Sequence, residues 1–300
     1  MSKSEEVAVA DNLRRPLASP LRKTSEIDFR EYRNMPSVAV NGVDLYYECH
    51  GQGSPLMLIA GLASDSQSWL PIVDNLSKHH LLILPDNRGV GRTMPQDAET
   101  SIRQIADDCM GLAEHLGLPS VSLLGHSMGG FVALDCAIRY PERVSRLILA
   151  ATSAFNSERN KALLHDWVAY QKSGMDPESW FRNMFYWIFS RRLFENREII
   201  DEAVRFAVKY PYPQSSAAFE KQVAAIEGFE CRERLPGIVA TTLIMCGEED
   251  LLFPPGDSIR VLREIPRARV SLIEAAAHSI HVENPKSFSE SVLRFLHDTD

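Results

Sequence analysis

The chain has no long apolar run, no excess of positive charge, no paired cysteines and no internal repeat, and each absence removes a class of protein. No window approaches the roughly 18 apolar residues that span a bilayer, and the polar, mixed-charge stretch 1–33 has no apolar core of the kind a signal peptide carries. A cytoplasmic protein with no membrane partner is therefore expected. Lys and Arg total 32 against 40 Asp and Glu, a net charge of −8, so there is no positive field to draw in nucleic acid or anionic lipid. The five cysteines, Cys49, Cys109, Cys136, Cys231 and Cys246, are odd in number and scattered, without the spacing of a metal-binding pair. Several lie in apolar runs, where cysteine acts as a small hydrophobe, and buried, reduced thiols are expected. Nothing implies a metal or a cofactor.

What is present suits an ordinary globular protein: 300 residues, 45% hydrophobic, enough for one large domain or a domain with an insertion. Residues 1–35 show little apolar periodicity and contain Arg15-Pro16 and Ser19-Pro20 breaks, the pattern of a flexible extension. From Ser37 the pattern changes to two β-rich runs separated by Asn41-Gly42, a strong hairpin signal. Short apolar runs then recur at 56–60, 81–84, 121–124, 147–151, 242–246 and 270–273, mostly separated by segments with helical spacing. One such segment places Ile102, Ile105, Cys109, Leu112, Ala113 and Leu116 three or four apart before Gly117 stops it. Continuous apolar strands alternating with helices predict an α/β fold, a mostly parallel sheet with helices on both faces.

The alternation lapses at 152–235, where helical segments follow one another without a strand. This interval holds Trp167, Trp180 and Trp187 together with Tyr170, Phe181, Phe185, Tyr186, Phe189 and Phe194. An aromatic helical insertion between two strands would sit over the carboxyl edge of the sheet, where open α/β sheets bind ligands. Most of these aromatics are expected to form a small helical core, and a few to line a pocket.

Three glycines surround one serine in Gly125-His126-Ser127-Met128-Gly129-Gly130. The segment fits G-x-S-x-G, with a strand-like run before it and a helical one, ended by Pro141, after it. Small residues relieve clashes in such a strand-to-helix turn while the serine oxygen projects into the cleft. Gly125 and Gly129 are expected to clear the turn, and Gly130 to let the helix pack closely on the sheet. A serine hydroxyl is a weak nucleophile and needs a base, and the base an orienting acid. His79, His80, His115 and His297 fall in polar stretches or near the terminus and are expected at the surface; His126 is expected to pack or hydrogen-bond beside the turn.

His278 follows the last apolar run and precedes a helix begun by Asn284-Pro285, which puts it at the carboxyl edge; His281 is its rival. For the acid, the strand 242–246 leads into Gly247-Glu248-Glu249-Asp250, and Asp250 is the candidate, with Glu248 and Glu249 as solvated alternatives. The loop after 147–151 offers no carboxylate. Acyl transfer also needs backbone N–H donors for the oxyanion. Met128, after the nucleophile, and Leu62, in Gly61-Leu62-Ala63-Ser64-Asp65, are the candidates.

These motifs, with Asp86-Asn87-Arg88-Gly89-Val90-Gly91-Arg92 and His278-Ser-Ile-His-Val-Glu283-Asn-Pro285, resemble the α/β-hydrolase fold superfamily in its serine-nucleophile branch of esterases, enol-lactonases and carbon–carbon bond hydrolases. The resemblance runs from about Ser37 to the C-terminus and keeps the order Ser127, Asp250, His278. It implies a core at 36–151 and 236–300 and a helical cap at 152–235. Asp86 and Arg88 are read as structural. One departure is Ala60-Gly61, where many relatives have His-Gly. The resemblance implies a cofactor-free serine esterase acting on a small, apolar ester-like molecule, lactones and enol-lactones included. A carbon–carbon hydrolase or lyase on the same fold, and a ligand-binding sensor that retains the triad, are the alternatives. The substrate itself and the oligomeric state are left open by the sequence.

Overall fold

A computed structural model describes residues 37–298; the extension expected at 1–35 lies outside the described residues. The chain enters as a hairpin, β1 (Ser37–Val40) and β2 (Val43–His50), paired Val40 to Val43. Asn41 and Gly42 take φ of 45° and 83°, the left-handed pair whose twist matches that of flanking strands. Then follow β3 (Pro55–Ile59), α1 (Leu70–Leu76), β4 (Leu81–Pro85), α2 (Ile102–His115), β5 (Val121–His126), α3 (Met128–Arg139) and β6 (Val144–Ala150). After a helical interval come β7 (Thr241–Gly247) and β8 (Arg269–Ile273). The eight strands form one sheet in the order β1-β2-β4-β3-β5-β6-β7-β8, antiparallel through β4 and parallel from there on.

The apolar strands are continuous because both faces are covered. On β3, Leu56 and Leu58 join the cluster of Ile72, Leu76 and Phe288, while Met57 and Ile59 join that of Ile105, Leu112 and Phe131. Alternate side chains thus feed two cores separated by one strand thickness. The stripe of α2 is buried as its spacing predicts, and Ser101 caps the helix by accepting from Gln104 N at 3.2 Å.

Between β6 and β7 the chain forms α4 (Glu158–Lys172), α5 (Pro177–Ile188), α6 (Arg191–Phe194), α7 (Arg197–Val208) and α8 (Ser216–Glu227). Four of these starts are written locally: Ser157, Asp176, Asn196 and Ser215 each accept from the backbone N–H three residues on. Further elements are α9 (Pro255–Leu262), α10 (Ile280–Glu283) and α11 (Pro285–His297). Among the described residues no helix is long and apolar enough to cross a membrane.

One expectation fails here. His80 is buried rather than superficial. Gly51 and Gly53 bring a tight turn down onto the backbone of 77–80, where a Cβ on Gly51 would lie 2.5 Å from His80 O, and the imidazole packs on His297.

Candidate functional site

Ser127 lies between β5 and α3 with φ 55° and ψ −118°, a conformation that costs a β-substituted residue about 1–3 kcal/mol. The surroundings enforce it. Ser127 N donates to Ala150 O at 2.9 Å, and Ser127 O accepts from Gly130 N at 2.9 Å and from Thr152 Oγ1 at 2.8 Å. A Cβ on Gly125 would stand 2.2 Å from Gly129 O, and one on Gly129 would stand 2.0 Å from Ile59 O. Gly130 would meet the Thr152 side chain at 2.4 Å. The close approach of helix to sheet therefore occurs at Gly129, against the β3 backbone, and not at Gly130, which makes room for the threonine that anchors the turn.

The loop after β7 and the loop after β8 bring the other two candidates together. His278 Nδ1 is 3.0 Å from Asp250 Oδ2, and both side chains are buried. Asp250 is held in turn: its Oδ1 accepts from Leu252 N at 2.8 Å and Phe253 N at 2.9 Å. A carboxylate can only accept at neutral pH, so Nδ1 carries the imidazole proton and Nε2 presents its lone pair. The Phe253 ring stacks on the imidazole with centroids 5.7 Å apart. Glu248 is exposed and Glu249 half-buried, and neither replaces Asp250 in this contact.

His126 does more than pack beside the turn. Its Nε2 lies 2.9 Å from the His278 carbonyl oxygen, and since a carbonyl only accepts, Nε2 donates. The residue before the serine thus holds the backbone of the histidine loop. Burial, with His281 and His278 adding to it, pushes the His126 pKa well down, which keeps the ring neutral. His281, the rival base, is buried against Trp69 and His126, each with ring centroids 4.7 Å away. Burial, then the nearby His278, pushes it down to about 3.

Leu62 and Met128 both border the cavity that Ser127 and His278 share. Among the described residues neither backbone N–H has an acceptor; the Met128 group is one of the free donors of a helix N-terminus. The loop bearing Leu62 is pinned from two sides. Asn87 Nδ2 donates to Ala60 O at 3.0 Å, and Ala63 N donates to Oε1 of the wholly buried Gln222 on α8 at 3.2 Å. A Cβ on Gly61 would lie 3.2 Å from Ser127 Cβ, so this loop abuts the serine. Asp86 accepts from Ser66 N, Arg92 N and Arg92 Nε, each at 2.9 Å, and Arg88 grips Asp108 through two contacts of 2.7 Å. These contacts tie loops together and do not border the cavity.

The cavity measures about 650 Å³ and lies between the carboxyl ends of the strands and the helices α4, α5, α7 and α8. Of the nine aromatic residues singled out at 167–194, Trp167, Trp180, Phe181 and Phe185 line it; Tyr186 is exposed. Sequence reasoning missed other wall residues. Tyr210 O–H donates to Asp65, joining the segment after α7 to the loop bearing Leu62. Burial, then Asp86, pushes Asp65 up to about 6. Asn156 sits in the loop dismissed for lacking a carboxylate, yet it is buried and borders the cavity. Asn160, Leu164, Trp167 and Gln171 form one wall of the cavity; their spacing of 4, 3 and 4 along α4 was the available signal. Among the described residues no group of three or more His, Cys, Asp or Glu could hold a metal ion.

Comparison with known proteins agrees with this architecture. The family model described as alpha/beta hydrolase fold matches residues 54–285. RutD of Azorhizobium caulinodans, named as a candidate carbamate hydrolase, is 28% identical over 271 residues, covering 89% of this chain and 100% of RutD. The serine hydrolase BPHL of Mus musculus is 28% identical over 272 residues, covering 86% of this chain and 85% of BPHL. The enol-lactonase structure from Burkholderia xenovorans shares the fold with a TM-score of 0.78 at 24% identity, covering 88% of this chain and 100% of the other. With the matched segment spanning most of the sheet, the elbow and the histidine loop, the chain belongs to the alpha/beta hydrolase fold family.

Proposed function

We propose that this protein is a serine hydrolase that cleaves a carboxylic ester, lactones and enol-lactones included, through an acyl-enzyme. The observation that carries the reading is that a serine held at φ 55° and His278 border one cavity, with His278 backed by the buried Asp250, whose carboxylate is fixed by two backbone N–H groups. Ser127 Oγ bonds to the carbonyl carbon while His278 Nε2 takes its proton, and Asp250 orients the ring and stabilises the resulting cation. The carbonyl oxygen, now an anion, is held by the N–H groups of Leu62 and Met128. Its collapse expels the alcohol, which leaves with the proton from His278. Water then repeats the sequence, with His278 as base, and frees the acid and Ser127. No residue in this scheme needs a cofactor.

Fluorophosphonate labelling at Ser127 and turnover of small activated esters test the reading. Ser127→Ala should abolish labelling and lower kcat by about 10⁴–10⁶-fold, as loss of a nucleophile does; a variant that keeps most of its activity refutes it. The similarity to RutD over 89% of the chain favours a second reading, hydrolysis of a carbamate by the same residues. Aryl carbamates assayed beside the matching esters separate the two.

A further inference from the structure

If the cavity holds an ester, its walls restrict which one. No Lys or Arg lines it among the described residues, and Asp65 is its one carboxylate. Asp65 already accepts from Tyr210 O–H and from Gln67 N, at 3.0 Å, and stands close to Asp86. The Arg92 guanidinium lies 5.0 Å from the ring centroid of the lining residue Tyr212, but it is spent on Asp86, Glu48, Ser66 and the Tyr46 hydroxyl. A substrate anion entering here would lose its water, meet no cation and face a carboxylate, which is the costliest way to bury a charge.

The other polar side chains of the wall are mostly uncharged amides and hydroxyls. Asn156 is only 4% exposed, and its Nδ2 has no hydrogen-bond partner among the described residues. Gln171 Oε1 and Gln214 Oε1 are likewise buried without a partner, and all three residues line the cavity. Gln214 is oriented by its Nε2, which donates to Gly89 O at 2.8 Å and Gln222 Oε1 at 3.0 Å, and all three amides are uncharged whichever way they are turned. Along α4 the apolar part of the wall is Leu164 and Trp167, between Asn160 and Gln171.

We propose that the site takes neutral esters whose apolar chain lies along α4, an uncharged polar group on that chain being tolerated, and that it rejects esters bearing a carboxylate. The inference rests on the hydrolase reading above. It is tested at pH 8 with three p-nitrophenyl esters of equal chain length: the hexanoate, the half-ester of adipic acid, and the ester of adipic monoamide. We expect kcat/KM for the half-ester to fall about a hundredfold or more below that of the hexanoate, the equivalent of two tenfold steps in transition-state binding. The monoamide should return to within about tenfold of the hexanoate. A half-ester cleaved as fast as the hexanoate overturns the proposal while leaving Ser127 chemistry intact. If no ester is turned over, the hydrolase reading fails instead, and binding then decides the charge selectivity. Tryptophan fluorescence of Ser127→Ala should report methyl hexanoate bound at least about tenfold more tightly than monomethyl adipate, and equal affinities would refute the proposal.

Discussion

Glu283 ends α10 and joins two parts of the molecule through one carboxylate. Its Oε1 accepts from Ala277 N and its Oε2 from Ser190 N, both at 2.9 Å, while Ser279 N donates to Ile188 O at 3.0 Å. The histidine loop is thus bound to the turn between α5 and α6. Despite two N–H partners, burial, with Glu249 adding to it, raises the pKa from 4.5 to about 7. The native state therefore holds a proton that the unfolded chain releases, and the sign follows. The contribution is fully present below pH 4.5 and is lost as pH rises through 7. A shift of this size corresponds to about 3 kcal/mol, most of it falling between pH 5 and 8. Glu283→Gln cannot ionise, and the acceptor it exchanges for a donor adds a penalty that does not depend on pH. The difference in unfolding free energy, variant minus wild type, should then move by about 2–3 kcal/mol in favour of the variant between pH 5 and pH 8. Urea unfolding at the two pH values reads it directly, and the buried Asp65, titrating in both proteins, cancels. A difference that stays constant to within about 0.5 kcal/mol would refute the claim that Glu283 is the buried titrating group.

Asp250→Asn should preserve the fold, since the two backbone donors still find an oxygen, yet disturb the His278 tautomer. A fall in kcat of about 10³–10⁴-fold with KM little changed is expected in ester assays, and near-normal turnover would remove Asp250 from the scheme. Gly129→Ala forces a Cβ to within 2.0 Å of Ile59 O in the sheet backbone. It should cost about 3 kcal/mol or more and show as a lowered Tm or loss of soluble protein. Of the five cysteines only Cys49 is exposed, and burial pushes the thiols of Cys109, Cys136, Cys231 and Cys246 up. A disulfide reagent should therefore modify one thiol in the native protein and five after denaturation; two or more fast thiols would contradict this packing.

The parts of the molecule legible in advance are those governed by neighbours in the chain. Asn41-Gly42 announces its hairpin because two successive left-handed residues suit few other sequences. The run Gly125 to Gly130 announces a serine turn because Gly125 answers a clash with Gly129 O, generated within one strand and one helix turn. His278 and Asp250 could be chosen because both follow strands of a parallel sheet, whose carboxyl ends lie on one edge. The misjudged points needed distant partners. The roles of Gly129 and Gly130 depended on Ile59 and Thr152, and the burial of His80 depended on a turn at 51–54.

Periodicity, turn chemistry and strand order are short-range signals, and they sufficed for the α/β sheet and the helical interval, and for picking out Ser127, which borders the cavity with His278, and Asp250, which lies behind His278. The rest came from contacts across the chain. His126 holds the His278 carbonyl over 152 positions, Gln222 holds the Leu62 loop over 159, and Glu283 joins α10 to the α5–α6 turn over 93. Among the described residues, the cavity's lack of cations and its unpaired amides belong to the same class. They depend on how the helices and the loops bearing Asn156 and Gln214 pack around Ser127, and a helix with apolar residues on more than one face does not specify its orientation by itself.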